Sequence, residues 1–191
     1  MSSDSGRQRP QLQKAARQQG GRVFLRLPVF GDREEYLGLR RASADFHRSW
    51  EPRPPEGVDP FGEEAFAGYL RDSNGERRVR LLLCRLDDGA ILGAINLNEI
   101  VRGVFLSTTL GYWIGAAFAR QGYMREGLRL AERHAFEDLG LHRIEANIRP
   151  ENTASIALVK SRGFQREGYS PRYLKIDGEW RDHERWAKLN E

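Results

Sequence analysis

The sequence predicts one α/β domain, a mixed and mostly antiparallel sheet with flanking helices. Three observations carry this. Extended and helical patterns alternate in the order β-α-α-β-β-β-α-β-α-β-β, which suits a layered α/β sheet. Two turn signals, Asp87-Asp88-Gly89 and Asp177-Gly178, each separate a pair of strand-like runs and imply antiparallel hairpins. Late in the chain a strand, a helix and a further strand follow one another, the pattern of a crossover.

In chain order, RVFLRLPVF (22–30) reads as the opening strand. Residues 31–52 read as a helix, with Asp32 and Glu35 as a capping pair and Tyr36, Leu39, Phe46 and Trp50 at helical spacing. EPRPPEGVDP breaks it, because proline removes a donor and keeps its predecessor extended. FGEEAFAGYLRD is a short second helix. RVRLLLCRL and AILGAINLNEI are the arms of the first hairpin, and VRGVFLSTTLGYWIG supplies more extended chain. MREGLRLAERHAFEDLGL is a helix with Leu128, Ala131, Ala135 and Leu139 on one face and Gly140 as its C-cap. RIEANI is a strand, and the segment from Asn152 to Gly163-Phe164 is a helix. YLKIDGEWRDHERWAKL closes the chain as a hairpin, with Trp180, Asp182, Glu184 and Trp186 alternating on one side.

Composition narrows the function classes. The chain has 191 residues, of which 39% are hydrophobic, enough for one domain with a core. No apolar run approaches the length of a membrane span, and the first residues lack the apolar stretch of a signal peptide. The single cysteine, Cys84, lies in an apolar run and reads as a core thiol. These features lead us to expect a cytoplasmic protein. The net charge is +4, but Arg7, Arg9, Lys14 and Arg17 against Asp4 place most of it in the first twenty residues. Residues 1–20 therefore read as a basic, disordered extension and 21–191 as the folded domain. His47, His134, His142 and His183 are dispersed without metal-ligand spacing, so no metal is expected.

Two places invite a ligand. GYWIGAAFARQGYMREGL runs from a strand through a glycine-containing loop into a helix N-terminus, whose free backbone N–H groups and dipole favour a phosphate. Gly122 permits close approach there. Gln121, Tyr123, Met124, Arg125 and Glu126 would offer N–H groups, and Arg120 or Arg125 charge. An ordinary strand–loop–helix connection explains the same residues. At the second place, after Pro150, Asn152 reads as a helix N-cap, and Ser155 sits one turn on, facing the same way.

Together these segments resemble the GCN5-related N-acetyltransferase superfamily, and within it the RimJ/RimL branch of ribosomal-protein N-terminal acetyltransferases. The superfamily's phosphate loop, Gln/Arg-x-x-Gly-x-Gly/Ala, is met only at its central Gly122, since Ala119 and Met124 occupy the outer positions. The branch's Gly-hydrophobic-Met-x-Glu-Ala-Leu is followed closely by GYMREGL. Its second signature is met by Arg143, Ile144, Ala146, Pro150, Asn152 and Ser155, with Gly163-Phe164 behind. The stretches IVRG, YLKIDGEWRDH and Trp50-Glu51-Pro52 also match the branch, and the resemblance spans 22–189.

The resemblance implies a single domain of that superfamily's fold and acetyl-CoA as cosubstrate, with its phosphates on the loop and its thioester beside Asn152 and Ser155. Ser155 is then the general acid or sulfur-positioning group, with Tyr169 and Tyr173 as alternatives. A backbone N–H near Tyr112-Trp113-Ile114 is the oxyanion donor, and that strand holds the pantetheine. Glu99 and Glu145 are the candidate bases. An α-amine has a pKa of about 7.7–8.0 against about 10.4 for lysine, roughly 3.4 kcal/mol less to deprotonate, so a chain N-terminus is the easier acceptor. The sequence shows no nucleophile–base pairing, which favours direct transfer. The expected partner is a protein N-terminus, a ribosomal protein or the ribosome, with no membrane contact. Whether the chain is a monomer or a homodimer stays open. A small-molecule amine acetyltransferase and a ribosome- or RNA-associated acetyl-CoA-binding module are the alternatives.

Overall fold

The computed structural model describes residues 16–191; the extension assigned to residues 1–20 lies outside this range up to residue 15. Its strands and helices are β1 (Gln18–Gln19), β2 (Val23–Arg26), α1 (Arg33–Ala42), α2 (Ala44–His47), α3 (Glu63–Arg71), β3 (Val79–Arg85), β4 (Ile91–Val101), β5 (Ser107–Ile114), α4 (Tyr123–Arg133), β6 (Arg143–Ile148), α5 (Thr153–Ser161), β7 (Gln165–Ile176) and β8 (Glu179–Leu189). The strands form one sheet in the order β1-β2-β3-β4-β5-β6-β8-β7. Every neighbouring pair is antiparallel except β5 and β6, which α4 joins as a crossover. This is the expected mixed α/β sheet in the expected order, with the two-residue β1 added. Gln18 and Gln19 pair with Leu25 and Phe24, so the sheet begins before residue 21.

The two faces of the sheet carry separate apolar layers. On one face α4 and α5 cover Leu81, Leu83, Ile95, Leu97, Ile144 and Ala146. On the other, α1 and α3 bring Tyr36, Leu37, Phe66 and Tyr69 onto Phe24, Leu82 and Cys84. Gly127 lets α4 lie close to the sheet, because a Cβ there would come within 2.7 Å of Leu83. Cys84 is fully buried, and burial pushes its thiol up to about 12, an unreactive core group.

Five local expectations need correction. The opening strand stops at Arg26, ahead of Pro28, and Phe30–Asp32 form a 3-10 turn. Asp32 does not cap with Glu35. It forms a buried bidentate pair with Arg26, at 2.7 Å to each nitrogen, and accepts the Val29 N–H, while Glu35 accepts from the Ile91 N–H. The first helix breaks at Ser43, so Phe46 and Trp50 belong to a second, short helical piece and leave the core face. Helix α4 leaves α geometry after Arg133 for a π turn at His134–Asp138, and the closing hairpin starts eight residues early, at Gln165.

Candidate acetyl-transfer site

Strands β5 and β6 pair only from Ser107–Thr109 against Arg143–Glu145 and then separate. Between them opens a cavity of about 980 Å³, lined on one side by Leu110 to Ile114 and on the other by Ala146 to Arg149. Splaying leaves backbone groups without a strand partner. Gly115 N–H bonds Leu92 C=O, so hydrogen-bonded pairs alternate back along the ladder through Trp113 with Ala94. The N–H and C=O groups of Tyr112 and Ile114 therefore point into the gap, whereas those of Trp113 are used by β4. Of the three expected backbone donors, Tyr112 and Ile114 face the cleft. The Trp113 ring instead packs on Tyr36, with the Arg40 guanidinium 4.9 Å above it.

The gap runs to the N-terminus of α4. Gly122, its N-cap, has φ +82°, a left-handed conformation that costs other residues about 1–2 kcal/mol. No side chain caps this end, and the first intrahelical bond is Glu126 N–H to Gly122 C=O. The N–H groups of Tyr123, Met124 and Arg125 are thus left for an anion, and Arg120 and Arg125 line the same cavity. The donor set fits a pyrophosphate. Glu126 does not serve it, because its N–H is spent and its carboxylate accepts from the N–H of Arg22 at 2.9 Å and from the guanidinium. Those bonds outweigh burial and lower its pKa. Gln121 turns its side-chain amide to Ala117 C=O, and the Tyr123 ring lies under Arg22.

At the far end Asn152 caps α5, its Oδ1 accepting from Ser155 N–H at 3.1 Å. The Ser155 hydroxyl meets the Tyr112 hydroxyl at 2.6 Å. Burial pushes the Tyr112 phenol up to about 12, although the bond to Ser155 pulls the other way, so the pair stays protonated and can supply a proton.

Three other expected residues are not brought here. Glu99 bonds Arg77 at 2.7 Å, opposite the Ser107–Thr109 end of β5, about 17 Å along the strand from Ile114. Tyr169 is exposed and donates to Asp182 outside the cavity, and Glu145 is held by Arg143 at 2.6 Å.

Sequence reasoning missed the acceptor side of the cleft. His47, from α2, lies with its Nε2 2.8 Å from the carbonyl of Ile114, and Arg40 reaches its Nδ1 at 3.3 Å while gripping Glu51 with two bonds of 2.7 Å. A carbonyl only accepts, so Nε2 carries the proton and Nδ1 receives from Arg40. Arg149 bonds Ser49 C=O at 2.6 Å and stacks over Trp50. His183 reaches the cavity from β8. The Trp50-Glu51-Pro52 motif was a usable signal for this region. His47 gave none, since its partner Ile114 lies far away in sequence.

Residues 22–165 match the Acetyltransferase (GNAT) domain family. The [Ribosomal protein uS5]-alanine N-acetyltransferase of Escherichia coli K12 is 37% identical over 164 residues, covering 85% of this chain and 84% of that protein. The structure of Mycobacterium smegmatis RimJ in complex with CoA-disulfide aligns with a TM-score of 0.81 and 30% identity, over 87% of this chain and 81% of that one. A ribosomal-protein-S5-alanine acetyltransferase from Vibrio fischeri shares the fold with a TM-score of 0.79 at 22% identity, over 91% and 96% of the two chains. A cleft between splayed strands, an uncapped helix N-terminus over it and a hydroxyl pair at its end are thus found in a chain that belongs to the GNAT acetyltransferases and is an acetyl-CoA-dependent N-acetyltransferase.

Proposed function

We propose that the enzyme transfers the acetyl group to the α-amine of a protein N-terminus, most simply a ribosomal protein beginning with Ala or Ser. The similarity to the uS5-alanine enzyme supports the acceptor class. The observation that carries the choice is the charge state of the cleft. Its two carboxylates, Glu51 and Glu151, are each paired with an arginine, Arg40 and Arg149. A polycation such as spermidine would meet no unpaired carboxylate among the described lining residues, whereas a peptide needs only one neutral amine and backbone partners.

In this reading the acceptor enters on the Trp50 and His183 side, and acetyl-CoA lies along β5 with its phosphates over Gly122 and α4. Ile114 N–H is the donor aimed at the developing oxyanion. The Tyr112–Ser155 pair delivers the proton to the departing sulfur, and His47 holds the Ile114 peptide in place. Asn152 fixes the first turn of α5 and with it Ser155.

CoA release with free Ala-, Ser-, Met- and acidic N-terminal peptides, against N-terminally blocked lysine peptides and spermidine, tests the proposal. Turnover confined to one or two free N-termini is expected. Turnover of spermidine alone would replace this reading with a small-molecule enzyme.

A further inference from the structure

The acceptor side of the cleft holds two hydrogen-bond acceptors that no described residue uses. Asn147 Oδ1 is buried and has no partner. His183 is 3% exposed, and its Nδ1 lies 3.0 Å from the carbonyl of Arg181. That carbonyl only accepts, so Nδ1 bears the proton and Nε2 is left with a lone pair. No described residue bonds Nε2. Both side chains belong to the face of the sheet opposite α4 and α5. Ile144, Ala146 and Ile148 turn into the α4 layer, which sends Asn147 the other way. Asn147 pairs with Arg185 of β8, and His183 lies two residues along on the same side. Diagonal neighbours of this kind stand about 7–8 Å apart, close enough for both to reach one nitrogen placed between them. Both line the cavity that contains Ser155.

We propose that His183 Nε2 is the base that takes the proton from the acceptor amine, and that Asn147 Oδ1 accepts the amine's second N–H and orients its lone pair. This rests on the acetyl-transfer site described above, and not on which protein supplies the N-terminus. As the amine nitrogen bonds the acetyl carbonyl carbon, one N–H proton passes to Nε2 and the carbonyl π electrons move to oxygen, beside Ile114 N–H. Those electrons return as the C–S bond breaks. The sulfur leaves with the bonding pair and is protonated from the Tyr112–Ser155 pair, and the imidazolium returns its proton through solvent. Proton transfer to a weak base is favourable at this stage because the attacking nitrogen becomes strongly acidic once it is bonded to carbon.

The surroundings suit a histidine that is neutral at rest. Burial and the Arg149 guanidinium lower its pKa, while the Arg181 carbonyl, Asp182 and Glu151 act the other way. The Tyr173 ring of β7 lies tilted 6.0 Å away and brings no charge.

The test uses the full chain and whichever amine turns over. In the wild type, log kcat/KM should rise with pH at a slope of two below the ionisation of His183, where both amine and base must lose a proton. In His183→Gln the slope should be one, kcat should fall about 100-fold, and acetyl-CoA affinity should be unchanged. Asn147→Ala should raise the acceptor KM more than it lowers kcat. Labelled-histidine NMR of the unmodified protein provides a measurement independent of any variant, with His183 expected as the Nδ1–H tautomer titrating below 6.5. A slope of two persisting in His183→Gln, or an Nε2–H tautomer, would overturn the assignment. Activity on a small amine alone would overturn the N-terminal acceptor and leave His183 to be judged by the same slope.

Discussion

The hydroxyls of Tyr112 and Ser155 meet at 2.6 Å, one carried by the strand that leaves the sheet pairing and the other by the helix that follows its partner strand. In the proposed function the two residues act as one proton-donating unit. Ser155→Ala and Tyr112→Phe should each lower kcat by about 100-fold while changing acetyl-CoA affinity little. The double variant should be hardly worse than either single one, because each removes the same interaction. Single-turnover kinetics with calorimetric binding would check this. Equal losses in rate and affinity would make Ser155 a binding residue only.

Gly122 should matter for binding before chemistry. Gly122→Ala forces a side chain into φ +82° and brings a Cβ to 3.1 Å from Arg22 Nη2. A strain of about 1–2 kcal/mol at the phosphate loop predicts an acetyl-CoA Kd raised about 5- to 30-fold, with kcat at saturation nearly intact. A titration of acetyl-CoA followed by saturating kinetics separates the two effects.

Arg26 and Asp32 form the most buried ion pair among the described residues, with only 2% and 5% of the two residues exposed. Asp32→Ala leaves the guanidinium buried and uncompensated and should cost about 3–5 kcal/mol in urea unfolding. A loss under 1 kcal/mol would show that water enters to solvate Arg26.

Acid should weaken the fold beginning near pH 6.5. His47 and His183 are both held neutral, chiefly by burial, so their folded pKa values lie below the unfolded value. Below about pH 6.5 the unfolded chain binds protons that the folded chain refuses, so stability falls with pH down to the folded values, by up to about 1.4 kcal/mol per pH unit for each histidine. Glu126, Asp138 and Glu167 are depressed carboxylates, whose stabilisation disappears only at lower pH, as it passes through their folded values. Urea midpoints measured from pH 7.5 to 5 should flatten in His47→Gln. An unchanged profile would show that His47 titrates in the fold as it does in the unfolded chain.

Much of the architecture was legible because periodicity and turn chemistry are local. Asp87-Asp88-Gly89 and Asp177-Gly178 marked their hairpins, and the apolar faces of α4 and β6 marked the layer between them. Gly122, Asn152 and Ser155 were legible for the same reason, since a helix N-terminus carries its own signals within a few residues. Errors arose where a residue found a distant partner. Asp32 reads as a cap until Arg26 is placed beside it, and Glu99 reads as a base until Arg77 takes it.

The sequence by itself determined the order of elements, the glycine-led helix N-terminus at Gly122 and the helix cap beside Ser155, because each depends on neighbours within one turn or one hairpin. Only the tertiary structure decided which residues line the face of the cleft where we place the amine. Sheet pairing brings Asn147 of β6 and His183 of β8 to one face, while α2 is laid across the end of β5 so that His47 closes on Ile114. Residues 36 and 67 positions apart in the chain meet there through backbone pairing and packing, and no local pattern records that they do.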